Sequence, residues 1–223
     1  MIKETVKHLP LFSLEVSGAK KPVLIVGNAY GVMPYVHPLA LNLANKGYRP
    51  FWFAFSGQEG TKGSYSYSQG VEDIRLIVDY IKEKTFTPDL KIISHCAGSL
   101  FTLEYLKNFP NNSVSKLIVY GLLYSMSRRR KIAERKLKQC GVNYSLSEED
   151  WNYNPLSALS SINIPTFFCH ARDTLNLERA TTEEMNLAVE ATRDSTILWF
   201  EEGYDNNTGL IKNFMPYYKD FLN

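Results

Sequence analysis

The sequence predicts an α/β protein, with one mostly parallel sheet covered by helices on both faces. Two observations lead there. Apolar runs of strand length alternate with segments whose apolar residues recur at helical spacing, and strands alternating with helices build parallel sheets. The chain has 223 residues with 44% hydrophobic content, enough for one substantial core and short for two. Residues 1–223 are therefore read as a single domain.

The elements follow in order. Lys21 to Val26 is an apolar strand, followed by the loop Gly27-Asn28-Ala29-Tyr30-Gly31. Pro34 to Lys46 is a helix stopped by Gly47, a good residue just past a helix end. Tyr48 to Phe55 is an aromatic-rich strand whose Phe51-Trp52-Phe53-Ala54-Phe55 run belongs to the core. Ser56 to Ser68 is a polar, Gly-rich loop, with Tyr65 and Tyr67 assigned to the mouth of a site. Gln69 to Glu83 is a helix by the spacing of Val71, Ile74, Ile77, Val78 and Ile81. Leu90 to Ser94 is a buried strand and Gly98 to Leu106 a helix. Strands over Lys116 to Tyr120, Pro165 to His170 and Thr196 to Phe200 complete the sheet, and Leu210 to Phe221 closes the chain as a helix. Leu122 to Ser161 breaks this rhythm and reads as an insert.

Between the strand ending at Ser94 and the helix starting at Gly98 lies a small-x-Cys-x-small run, Ser94-His95-Cys96-Ala97-Gly98. A residue on a sharp strand-to-helix turn needs small neighbours two before and two after it, or strand and helix collide. Such a turn lifts its side chain clear of the sheet and sets the next backbone N–H, that of Ala97, at a helix start. The plain alternative for Cys96 is a buried core cysteine.

This run resembles the G-x-S-x-G nucleophile elbow of lipases, with Ser94 in place of the first Gly and Cys96 in place of the Ser. The resemblance to the α/β-hydrolase family spans about Lys21 to Asn223. It implies the α/β-hydrolase fold, with the insert at about 122–161 as a small cap over the active site. Tyr124, Met126, Trp151 and Tyr153 would line a substrate channel there or pack the cap onto the core. Asp173 follows a late strand, where the family carries its acid; its alternative role is a turn or helix cap. The oxyanion hole would use the Ala97 N–H and a donor near Asn28 or Ala29, where the family often has His-Gly.

The family's histidine should follow the last strand. This chain reads Glu201-Glu202-Gly203-Tyr204-Asp205 there, so Tyr204 fills the base position. A tyrosine with a pKa of about 10 is a poor base near neutrality but can donate a hydrogen bond. Of the four histidines, His37 at the rim of the expected pocket is the alternative base. His95 neighbours Cys96 but points elsewhere on an elbow, His170 lies at the acid strand, and His8 is expected on the surface.

A thiol has a reference pKa of about 8.5, and a helix N-terminus lowers it. Its thiolate is nucleophilic without a strong base. The resemblance thus implies a Cys-dependent acyl-transfer or thioesterase-like enzyme with a Cys96 acyl-enzyme. Its partner would be a small-molecule acyl substrate, carrier- or CoA-linked. The alternatives are a hydrolase using His37, and an inactive fold serving as a ligand- or partner-binding module. No cofactor and no metal are implied.

Charge and targeting set limits. A net charge of +2 does not suggest nucleic acid as a partner. The basic run Ser127-Arg128-Arg129-Arg130-Lys131 reads as a solvated helix face, with a site for a phosphate-bearing carrier arm as the other reading. Three widely spaced cysteines fit a reducing compartment. The polar start predicts no signal peptide, and no stretch is apolar enough to span a bilayer. The expected location is cytoplasmic, and the oligomeric state is open.

Overall fold

The computed structural model describes residues 1–18, 21–28, 36–58, 60–110, 113–171, 180–200, 217–218 and 220–222. Its centre is an eight-stranded sheet ordered β1-β2-β4-β3-β5-β6-β7-β8. These strands are β1 (Ile2–Val6), β2 (Leu9–Ser13), β3 (Lys21–Val26), β4 (Tyr48–Phe53), β5 (Leu90–Cys96), β6 (Val114–Leu122), β7 (Thr166–Ala171) and β8 (Ser195–Phe200). From β4 across to β8 every neighbouring pair is parallel. At the other edge β1 pairs antiparallel with β2, and β2 antiparallel with β4.

The edge hairpin departs from the sequence reading, in which the start is only a polar segment. Its strands alternate in burial, and Lys7 turns between them with φ 55°. Lys3, Glu4 and Thr5 face outward or sit half-buried, as charges on an edge strand do, and so hide the strand pattern. Glu4 pairs with Lys84, which holds its carboxyl below the ordinary range despite burial.

Helices cover both faces. On one side lie α2 (Tyr67–Thr85), α3 (Ala97–Asn108) and α7 (Thr182–Ala191). On the other lies α1 (Val36–Asn45), joined by the chain end, where the Tyr218 hydroxyl donates to Asn42 at 2.5 Å. The described part of the predicted closing helix, 217–218 and 220–221, is helical, and the rest lies outside the described residues. Helix α2 starts where Ser66 accepts the Gln69 N–H and stops at Phe86, whose φ of 50° cannot continue a helix. Its Ile74, Ile77 and Ile81 are fully buried, each contributing about 1.5–3 kcal/mol of hydrophobic stabilisation. Gly70 lets α2 approach α3, because a Cβ there would stand 2.7 Å from the Phe101 ring.

The insert after β6 folds into a short 3-10 turn (Ser127–Arg129), α4 (Arg130–Gln139), α5 (Glu148–Trp151) and α6 (Leu156–Leu159). It is tied to the loop after β4. The Tyr65 N–H donates to the Asn143 carbonyl and the Asn143 N–H to the Gly57 carbonyl, both at 2.7 Å. Gly57 is required there: its φ is +80°, and a Cβ would stand 2.2 Å from the Asn143 oxygen.

Candidate active site

Strand β5 is buried along its whole length and ends in the turn that the sequence predicts. Cys96 is its last residue, with φ 53° and ψ −125°, and α3 begins at Ala97. That backbone conformation is strained for a residue with a Cβ, at a cost of about 1–3 kcal/mol. The small residues on either side have separate reasons. Ser94 is fully buried, its hydroxyl donating to the Ile118 carbonyl of β6 at 3.3 Å. Gly98 abuts the end of β3: a Cβ would stand 2.0 Å from the Gly27 oxygen and 3.0 Å from the Val26 oxygen.

Two hydroxyls brace the first turn of α3. Ser99 donates to the Cys96 carbonyl at 2.5 Å and Thr102 to the Gly98 carbonyl at 2.8 Å. Neighbouring β6 adapts to the elbow. His95 pairs with Tyr120 and Cys96 with Leu122, so Gly121, at φ 57°, is the extra residue of a bulge. Cys96 itself is 8% exposed. It stands at a helix N-terminus, where the backbone N–H groups favour negative charge.

The loop after β3 reaches the elbow, since the Gly27 carbonyl touches Gly98. Asn28 is buried, and its carbonyl accepts a hydrogen bond from the Gln58 side chain at 3.0 Å. Ala29, Asp173 and Tyr204 lie outside the described residues.

The histidines have distinct settings. His37 is exposed on α1, its ring edge-on to Trp52 with centroids 6.3 Å apart. His95 is buried against the Tyr120 ring. His170 is buried and donates through Nε2 to the Ala180 carbonyl at 2.7 Å. His8, expected on the surface, is half-buried with Nε2 2.6 Å from the Ser56 hydroxyl. That hydroxyl also bonds Asp73, whose carboxyl is pushed up by burial and held back by donors from Ser56 and Gln69.

Several aromatics expected near the site are core residues. Tyr65 is 1% exposed, and Tyr67 is buried with its hydroxyl donating to the Leu100 carbonyl. Trp151 is buried under the Arg130 guanidinium. Tyr153 packs at a tilt against the Tyr67 ring, centroids 4.4 Å apart, and donates to Glu104 at 2.7 Å, so these two insert residues pack rather than stand open.

The basic run is not simply a solvated face. Arg128 makes a two-pronged contact with Glu184 of α7, and Arg130 bonds Glu134 at 3.0 Å and Glu148 at 2.5 Å. None of the three cysteines is in a disulfide; Cys140 is exposed, and burial pushes the Cys169 thiol well up. A groove of about 380 Å³ lies at the other end of α3, lined by Arg75, Tyr105 and Phe109 among others. Among the described residues, no group of three His, Cys, Asp or Glu could hold a metal, and no helix is long and apolar enough to cross a membrane.

Neither a protein-family model nor a curated protein matches the sequence. Solved structures do match in shape over nearly the whole chain. An esterase from Exiguobacterium antarcticum superposes with a TM-score of 0.75 at 14% identity, covering 96% of this chain and 95% of its own. Est1E from Butyrivibrio proteoclasticus, solved with ferulic acid, gives 0.72 at 13% identity over 100% and 98%. The thioesterase domain from the curacin biosynthetic pathway gives 0.72 at 13% identity, also over 100% and 98%. At these identities the likeness concerns the fold. The chain has the α/β-hydrolase fold, with Cys96 at its strand-to-helix elbow.

Proposed function

We propose that the protein is a Cys-dependent acyl-transfer or thioesterase-like enzyme acting on a small acyl thioester or ester, carrier- or CoA-linked. The observation that carries this reading is the positive φ of Cys96 immediately before α3. That geometry holds a thiol at a helix N-terminus and supports a lowered thiol pKa. The esterase and thioesterase among the structural neighbours are consistent with acyl chemistry.

In this reading the Cys96 thiolate attacks the acyl carbonyl carbon. A carbon–sulfur bond forms and the carbonyl electron pair moves to oxygen. The oxyanion is met by the Ala97 N–H and a donor of the Asn28–Ala29 segment. Collapse expels the leaving thiolate or alkoxide, which takes a proton from solvent or from the Tyr204 hydroxyl. The acyl-Cys96 then passes its acyl group to an amine, thiol or carbanion acceptor, or more slowly to water, regenerating the thiolate. Asp173 orients the hydroxyl or imidazole partner. His37 is the alternative base, and the insert at about 122–161 acts as a cap within a single domain of residues 1–223. Cysteines outside any disulfide support a reducing, cytoplasmic setting.

The test is acyl-enzyme trapping. Incubation with a short acyl thioester of N-acetylcysteamine should raise the intact mass by one acyl group, located on the Cys96 peptide. Cys96→Ala should remove both the adduct and turnover. Turnover retained in Cys96→Ala rejects the mechanism. Absence of adduct and turnover in the parent favours the inactive binding module.

A further inference from the structure

The peptide joining Cys96 to Ala97 has an uncommon orientation. Viewed along the Cα–C bond of an L-residue, Cβ stands roughly 120° from the backbone nitrogen, so its torsion to the next nitrogen is ψ plus that angle. At Cys96 ψ is −125°. Cβ therefore all but eclipses the Ala97 nitrogen, and the Cys96 carbonyl oxygen lies opposite Cβ. In a trans peptide the N–H and the C=O point in opposite directions within one plane. The Ala97 N–H thus leaves the backbone on the same side as the Cys96 side chain. In a helix or a strand the same torsion is about 80° to 125° in magnitude, and the next N–H is turned out of line with the side chain.

A second group holds this peptide. Ser99 is fully buried, and its hydroxyl donates to the Cys96 carbonyl at 2.5 Å. A hydroxyl bonded to a carbonyl three residues back is a common habit of serine in helices. Here the carbonyl belongs to the residue before the helix, whose φ of 53° is unfavourable for any side chain. Relaxation of that strain toward an ordinary ψ would swing the Ala97 N–H off the thiol side. The Ser99 hydroxyl opposes the swing by fixing the oxygen at the other end of the same plane. Thr102 makes the same kind of bond to the Gly98 carbonyl at 2.8 Å, but that plane carries the Ser99 N–H and not that of Ala97.

We propose that Ser99 is a positioning residue for acyl transfer: by holding the Cys96 carbonyl it keeps the Ala97 N–H beside the thiol, without touching substrate. This rests on the Cys96 reading given above. When the thiolate attacks an acyl group, the oxyanion is bonded to the same carbon as the sulfur, so a donor on the thiol side is placed to meet it. Such a donor acts only where negative charge develops on the acyl oxygen.

The test uses the full-length protein, an aryl thioester substrate, and the variants Ser99→Ala, Ser99→Thr and Thr102→Val. Ser99→Ala deletes one oxygen and puts the strongest helix former in the first turn, so the fold tolerates it. Its kcat should fall about tenfold or more with KM little changed, whereas alkylation of Cys96 by iodoacetamide, which forms no oxyanion, should stay within about twofold of the parent. Ser99→Thr keeps the hydroxyl and should turn over faster than Ser99→Ala. Thr102→Val removes the other hydroxyl of the turn and should keep kcat within about threefold of the parent. Parental kcat in Ser99→Ala overturns the proposal. So does an equal fall in kcat and alkylation, which would mean that the hydroxyl only supports the turn, or a loss in Thr102→Val as large as that in Ser99→Ala. Failure of the Cys96 reading shows differently, as turnover that survives Cys96→Ala or as a parent with none.

Discussion

Gly98 and Gly27 are in contact so close that a methyl group on Gly98 would stand 2.0 Å from the Gly27 carbonyl oxygen. The obstacle is backbone, so no side-chain rotation relieves it. The first turn of the elbow helix and the segment expected to hold an oxyanion donor are therefore set against each other.

Gly98→Ala should force one of these two segments to move. Overpacking of this kind costs about 1–3 kcal/mol. Denaturant unfolding should show a lower midpoint with an unchanged slope, and turnover of an aryl thioester should fall further than stability alone explains. Parental stability would mean that the two backbones separate easily.

Cysteine reactivity separates a nucleophile from a core thiol. Cys140 is exposed, whereas Cys96 is 8% exposed and Cys169 is buried. Accessibility alone ranks Cys140 first. If the helix N-terminus favours the Cys96 thiolate, iodoacetamide should modify Cys96 faster than Cys140, with Cys169 slowest. Peptide-resolved mass spectrometry over time measures the three rates. A Cys96 rate equal to or below that of the other two counts against a thiolate nucleophile.

The base position is open to gain and loss tests. Tyr204→His should complete a Cys–His–Asp arrangement with Asp173 and raise hydrolysis of an aryl ester, by at most about 100-fold. Tyr204→Phe removes only the hydroxyl and should slow turnover if that group serves as donor. If it has no effect, His37→Ala is the next kinetic measurement. If neither variant alters turnover while Cys96→Ala abolishes it, the acceptor's own groups move the proton.

Glu184 joins the insert to α7 and invites a pH experiment. Burial raises its pKa, but bonds from Arg128 and the Thr181 N–H outweigh that, and the carboxyl ends below its ordinary value. A depressed carboxylate stabilises the fold above its unfolded pKa, and the gain is lost as pH falls through the folded value. Glu184→Gln keeps an oxygen for the Thr181 N–H of the capping box and removes only the ion pair with Arg128, so it should cost about 0.2–1 kcal/mol at pH 7. The gap between variant and parent melting temperatures should narrow below about pH 4. A constant gap would assign the effect to packing.

The central sheet was legible because buried parallel strands are short apolar runs. Lys21–Val26 has the predicted bounds, and β5 exceeds its prediction only by the elbow residues themselves. The β1–β2 hairpin was not, because Lys3 and Glu4 on an edge strand look like any polar terminus. The spacing around Cys96 marked the elbow, since its small residues answer to backbone contacts that any such turn must make. Trp151 and Tyr153 were ambiguous, as an aromatic residue in an insert serves a channel or a core with equal fitness. Gln58 left no trace, because one side chain reaching a backbone thirty positions away has no periodicity to betray it.

The conformation of Cys96 also bears on whether the side chain is used at all. Glycine occupies positive φ without penalty, so Cys96→Gly should relieve strain and raise the melting temperature. A chain serving only as a scaffold would shed that strain and give up only the packing of one small side chain. Keeping a Cβ at this point is a standing tax on every folded molecule, and the thiol is what that Cβ carries.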